Sequence, residues 1–185
     1  KTVPCNVSDP LVVDLDGDGI ELLPIHKGVN FDLWSNGREQ AIAWVAADDA
    51  LLGLDRDGNG LIENGEELFG NINGDYIDGF EQLAELDTLT SGGNGDGVID
   101  AQDAAYKQLV LWKDSDMNGD CAPGELLPVS QFGLLSIPLN AAHVDQMEAG
   151  NPIAAVAYGS SERGPVLIGD AFFRTAPHAR LALAR

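Results

Sequence analysis

The chain has 185 residues, 30 of them Asp or Glu and 10 of them Lys or Arg, for a formal net charge of -20. That balance argues against nucleic acid or an anionic membrane as partner and points to cations. No apolar run approaches the roughly 18 residues a bilayer span needs, and no charged-then-apolar leader opens the chain. The length fits one domain with a real core, and Lys1 at the start reads as the edge of a segment excised from a longer protein. Self-repulsion of this size opposes compaction. Folding is therefore expected to be coupled to the binding of cations, each divalent ion offsetting two charges.

Ser8-Asp9-Pro10 ends a short lead, residues 1–9, just before the first apolar run. Asp-Pro is chemically weak. The Asp9 carboxylate can reach its own main-chain carbonyl to form a five-membered anhydride, with Pro10 leaving as a protonated amine, provided a fold aligns the groups. The same dipeptide is also a common turn and strand-entry pair. His26, His143 and His178 are candidate proton donors only because imidazole titrates near neutrality.

Residues 10–54 carry four short apolar runs, 11–15, 20–23, 42–46 and 51–54, separated by Gly/Asp turns, which predicts a small antiparallel sheet. Between the first two, Asp14, Asp16 and Asp18 form the entering half of a calcium loop. It has no closing acid at its twelfth position, where Ile25 stands, so Asp48 or Asp49 is a candidate donor from outside. Residues 32–37 (Asp-Leu-Trp-Ser-Asn-Gly) read as a hairpin turn with Trp34 where a ligand would be.

Residues 55–66 match the twelve-residue EF-hand pattern throughout. Asp55, Asp57 and Asn59 supply side-chain oxygens, Gly60 makes the sharp turn, Leu61 offers its carbonyl, and Glu66 closes with both oxygens, which suits the 6–8 oxygens calcium takes. Phe80, Leu83 and Leu86 then fall on one helical face. A third loop, with Asn94, Asp96, the Val98 carbonyl and Asp103, fits from its third position onward. Gly92 stands where its first Asp belongs, and the flexible insertion 88–93 would have to bulge out to return Asp87 to the metal. Ala105, Leu109 and Trp112 predict a helix over 100–112 serving both neighbouring loops. The loop at 114–125 repeats the pattern with Asp114, Asp116, Asn118, the Asp120 carbonyl and Glu125, while Cys121 stands where Ile62 stood, as an inert, buried thiol. A bridge from Cys121 to Cys5 has no support in the spacing.

Beyond residue 128 the alternation returns to strands at 134–139, 153–158 and 166–173, with a turn at 160–164 and a short helix to finish. The fold class expected is α+β: small antiparallel sheets flanking a helical region with EF-hand-like calcium loops. Residues 10–185 make one domain, strand-rich over 10–54, EF-hand-like over 55–128, and strand-rich again over 129–185.

Taken as an ordered series, Ser8-Asp9-Pro10 with Asp14 to Glu21, Trp44-Val45-Ala46-Ala47-Asp48-Asp49, Leu54 to Gly70, Leu83 to Asp87 and Asn94-Gly95-Asp96-Gly97 resembles the self-processing module of Frp-type, iron-regulated RTX proteins. The likeness continues through Leu111-Trp112-Lys113-Asp114 and Gly124 to Leu127, and more loosely through Gly169-Asp170 and His178. The resemblance implies calcium-triggered cleavage between Asp9 and Pro10, with about three to four Ca2+ ions. It also implies capture of the Asp9 acyl group by water or by a lysine amine, and export by type I secretion into a calcium-rich exterior. Lys27, Lys107 and Lys113 are internal acceptors; a lysine on another chain is equally open. The other reading is a non-catalytic, calcium-stabilised structural or binding module of a secreted adhesin or toxin.

Overall fold

The computed structural model describes residues 7–72 and 74–176. In chain order the strands are β1 (Val7–Ser8), β2 (Leu11–Val13), β3 (Leu22–Leu23), β4 (Val29–Phe31), β5 (Gln40–Ile42), β6 (Trp44–Val45), β7 (Ala50–Leu54), β8 (Val98–Asp100), β9 (Leu109–Trp112), β10 (Leu126–Pro128), β11 (Leu134–Pro138), β12 (Ala142–Glu148), β13 (Asn151–Ser161), β14 (Gly164–Ala171) and β15 (Phe173–Arg174). Among the described residues, helix is confined to α1 (Gly79–Ala84), prolonged by a 3-10 turn at Glu85–Asp87, to α2 (Val129–Phe132) and to further short 3-10 turns. Nine strands form one curled antiparallel half-barrel in the order β10-β9-β7-β2-β14-β13-β11-β8, with β12 on the first part of β13.

This corrects the α+β expectation: the protein is mostly β. The helix expected over 100–112 is instead a 3-10 turn at Ala104–Gln108 followed by strand β9. Leu109 and Leu111 face one core, Val110 and Trp112 the other, so the apolar residues that suggested a helical stripe serve a strand covered on both faces. The sheet expected over 10–54 is divided. β2 and β7 lie in the half-barrel, while β3 pairs with β6 and β4 with β5 in separate ribbons. The β4–β5 connection is a hairpin turn in which Asp32 accepts the amides of Asn36 and Gly37.

The central strands explain the unbroken apolar runs. In β2, Leu11 and Val13 pack into one cluster and Val12 into the other; in β7, Ala50, Leu52 and Leu54 oppose Leu51 in the same way. The second cluster is organised by rings. Trp44 lies 5.3 Å from Trp112, 5.3 Å from Phe31 and 5.8 Å from Phe173. The Trp44 indole N–H leaves this cluster to donate to Asp114 Oδ2 at 2.7 Å. An acidic loop is thus tied to the core that also holds β15.

Truncating the largest ring contact should cost what a buried aromatic usually does: Trp112→Ala is expected to lower stability by about 3–5 kcal/mol. Urea titration followed by circular dichroism checks this.

Candidate functional site

The Asp9–Pro10 bond lies inside the sheet, in an interior stretch of paired chain. Val7 and Ser8 pair with Arg174 and Phe173, and Leu11 to Val13 pair with Asp170 to Ile168, so one antiparallel register runs past both sides of the bond. Across it, the Ala171 amide donates to the Pro10 carbonyl at 3.1 Å, and the Leu11 amide donates to the Phe69 carbonyl at 3.1 Å. Phe69-Gly70-Asn71 forms the opposite wall. A Cβ at Gly70 would sit 2.1 Å from the Asp9 carbonyl oxygen and 2.8 Å from its carbon, so only glycine allows this approach. The Gly70 amide is drawn away from the bond by Gln82 Oε1 at 2.6 Å, while the Asn71 amide donates to Asp9 Oδ1 at 2.8 Å.

Asp9 and Asp170 are both fully buried. Asp170 Oδ1 accepts the Gly79 amide at the start of α1, at 2.9 Å, and the two carboxyls lie close enough for each to shift the other's proton affinity. Oδ2 of each residue is buried without a hydrogen-bond partner. One proton between them meets both needs. Desolvation pushes Asp9 up to about 7, against the pull of the Asn71 amide. Asp170 is raised further, by burial first and then by the Asp9 charge. Both carboxyls therefore hold their protons more tightly than a solvent-exposed aspartate does.

The acidic loops share one local design. In each, the two oxygens of the first Asp take backbone amides on the loop: Asp14 those of Gly17 and Gly19, Asp55 those of Gly58 and Gly60, Asp87 those of Gly95 and Gly97, and Asp114 those of Asn118 and Gly119. A later acid ties the far side. Asp49 accepts from Leu15 and Glu21, Glu67 from Arg56 and Glu63, Asp103 from Asn94 and Asp100, and Glu125 from Ala122. Carboxylate oxygens of Asp14, Asp16 and Asp18, of Asp55, Asp57 and Glu67, and of Asp114, Asp116 and Glu125 gather within 4.8 Å in three groups. Hard oxygen donors held this close repel one another, and the set fits a hard divalent cation of calcium's size.

The acid that joins Asp55 and Asp57 is Glu67; Glu66, expected from the spacing, is exposed and is not in that group. Asn59 and Glu63 bond to each other on the rim of this loop. Asn59, Asp96 and Asn118 accept the amides of Leu61, Val98 and Asp120, fixing the three residues expected to offer carbonyls. Cys121 is half-buried, with burial pushing its thiol up and the Ile62 backbone as its partner, so the 55 and 114 loops touch. Cys5, His178 and the helix expected at the end of the chain lie outside the described residues. His26 and His143 are exposed, unlike Asp9. Asp170 was missed as a functional residue. An acid inside the apolar stretch Val166–Phe173, on a strand with no turn nearby, was the available signal.

The chain belongs to the SPM domain family, whose pattern matches residues 11–173. The chain is also 40% identical, over 174 residues, to the iron-regulated protein FrpA of Neisseria meningitidis serogroup C. That alignment covers 89% of this chain and 15% of FrpA. Among the described residues no helix is long and apolar enough to cross a membrane.

The carboxyl pair sets a pH dependence of stability. Both groups bind their proton more tightly folded than unfolded, so their contribution is complete below the ordinary value of 3.8; the Asp9 part is lost as pH rises through about 7, and the Asp170 part as pH rises well above the usual carboxylate range. At saturating calcium, Asp170→Asn should flatten the decline in urea midpoint between these limits. It should also weaken the infrared absorption of protonated carboxyls at pH 7.

Proposed function

We propose that the chain is a calcium-folded module that cuts its own Asp9–Pro10 bond. The observation that carries this reading is the buried Asp9–Asp170 pair at a clamped Asp-Pro bond. An ionised Asp9 oxygen attacks the main-chain carbonyl carbon of the same residue, and the carbon–nitrogen bond to Pro10 breaks. The electron pair goes to the Pro10 nitrogen, which takes the proton held by Asp170. A five-membered anhydride is left on Asp9. Water then adds across it to give two carboxyl groups, or a lysine amine opens it to give an amide and a carboxylate.

Burial excludes bulk water from the first step, and the Gly70 wall fixes the carbonyl against the attacking group. Calcium is not a participant in bond-breaking. It supplies the positive charge that lets the acidic loops close, with Asp14, Asp16, Asp18 and Asp49, then Asp55, Asp57 and Glu67, then Asp87, Asn94, Asp96 and Asp103, and finally Asp114, Asp116, Asn118 and Glu125 as the residues that would hold it. Three to four ions, export by type I secretion and an extracellular, RTX-type setting follow from the same reading. In a calcium-poor interior the chain would stay open and uncut.

Intact-mass analysis tests this. Protein prepared in chelator should lose residues 1–9 when millimolar calcium is added, leaving Pro10 as a new N-terminus. Asp9→Ala should fold with calcium but stay whole, and Asp170→Asn should cut roughly 10²–10⁴-fold more slowly. The rate should rise as Asp9 loses its proton through about pH 7 and fall once Asp170 is ionised as well. An unchanged mass in calcium-folded protein would leave the non-catalytic structural module as the surviving reading.

A further inference from the structure

The wall beside the Asp9–Pro10 bond carries a physical conflict. Only a residue without a Cβ can pack on the Asp9 carbonyl at position 70, yet glycine is the residue whose backbone is freest to move. A wall that fixes an acyl carbon against its attacker therefore needs a restraint of its own.

Gln82 supplies that restraint. Its Oε1 accepts the Gly70 amide at 2.6 Å, which sets the plane of the peptide just before the wall, and the next amide, that of Asn71, meets Asp9 Oδ1 at 2.8 Å. Gln82 stands three residues after Gly79 on α1, so the two share one side of the helix. The Gly79 amide holds Asp170 Oδ1. The start of α1 is also pressed on the wall: a Cβ at Gly79 would sit 2.6 Å from the Phe69 carbonyl oxygen and 2.8 Å from Leu11 Cγ. One short helix thereby holds both carboxyls, Asp170 directly and Asp9 through Gly70 and Asn71. The acceptor is a neutral amide oxygen, which adds no charge where Asp9, Asp170 and Asp78 already act on one another.

We infer that Gln82 is a positioning residue for the cut, fixing Gly70 so that the Asp9 carbonyl keeps its place against the wall and the Asn71 amide keeps the Asp9 carboxylate aimed at it. The inference rests on the anhydride reading and adds the side chain that holds the geometry of attack. The charged groups facing Asp9 are Asp170 on β14 and Asp78 just ahead of α1, both acids. Burial opposes ionisation of Asp9 most and Asp78 adds to it, while the Asn71 amide pulls hardest the other way. With the Gln82 acceptor gone, the stretch at 70–71 slackens and that amide loses its hold. The attacking, ionised form of Asp9 then becomes scarcer at a given pH. Gln82 lines an open cleft rather than the apolar core, so replacing it leaves the packing of Phe80 and Leu83 in place.

The test follows the whole chain in saturating calcium as a function of pH, with intact mass giving the rate of cutting and circular dichroism the folded fraction. Gln82→Met, similar in length but without the acceptor, should fold, cut roughly 10–10²-fold more slowly per folded molecule, and show the acid side of its pH profile moved to higher pH. Gln82→Ala should behave alike. Gln82→Glu keeps an acceptor oxygen and should recover most of the plateau rate. A Gln82→Met protein that cuts at the parent rate, or whose pH profile does not move, would overturn the inference, as would equal losses in the Met and Glu variants. Failure of both Gln82→Met and Gln82→Ala to fold would make Gln82 a stability residue alone and overturn it too. In each of those cases a parent that cuts leaves the anhydride reading standing. A parent that does not cut overturns that reading, and this inference with it.

Discussion

Two carboxyls buried face to face cannot both ionise, and the surroundings of Asp9 and Asp170 are arranged around that constraint. Each keeps one oxygen on a backbone amide, from Asn71 and from Gly79, and leaves the other for the shared proton. Those amides come from the wall opposite the strand and from the first turn of α1, so the pair exists only when three distant parts of the chain have met. Asp78, which caps α1 through the Glu81 amide, adds a further nearby negative charge that keeps the proton in place. A half-formed fold has neither the desolvation nor the hydrogen bonds that tune the two acids apart.

The half-barrel supplies this meeting through doubly covered strands. β2 sits between β7 and β14 with both faces buried, so the residue pair just before it is carried into the interior wherever β2 goes. The acidic loops hang from the ends of the same strands: the first follows β2, the second follows β7 and the last follows β9. Asp114 reaches into the ring cluster through Trp44, and Phe173 of that cluster lies three residues beyond Asp170. The acidic loops and the buried Asp9–Asp170 pair are thus joined by continuous packing.

Much of this was legible because loop chemistry is local. The first-position acids and the glycine turns follow from spacing; in the structure Asp49 accepts the Leu15 and Glu21 amides beside the first loop, and Asp87 accepts those of Gly95 and Gly97 on the third. Two things were not legible. Short apolar runs fit a strand covered on both faces as readily as a helix, and the six residues of α1 show how little helix the sequence uses. The one-residue difference between Glu66 and Glu67 arises because the Gly65–Glu67 turn is 3-10, turning the second acid inward and the first outward. Asp170 stands 161 positions from Asp9 in sequence, and only the register of β14 against β2 brings them together.

The register that passes unbroken across Asp9–Pro10 makes any scission there a nick within a sheet. Both new ends remain paired with one continuous stretch of chain, Val7 and Ser8 with β15 and Leu11 onward with β14. The departing proline amine would stay beside the acyl group at a very high effective concentration, of the kind that favours resealing. Backbone rupture is then reversible in place. What makes it permanent is the peeling away of a two-residue ribbon, or the arrival of a competing nucleophile before the original partner recombines.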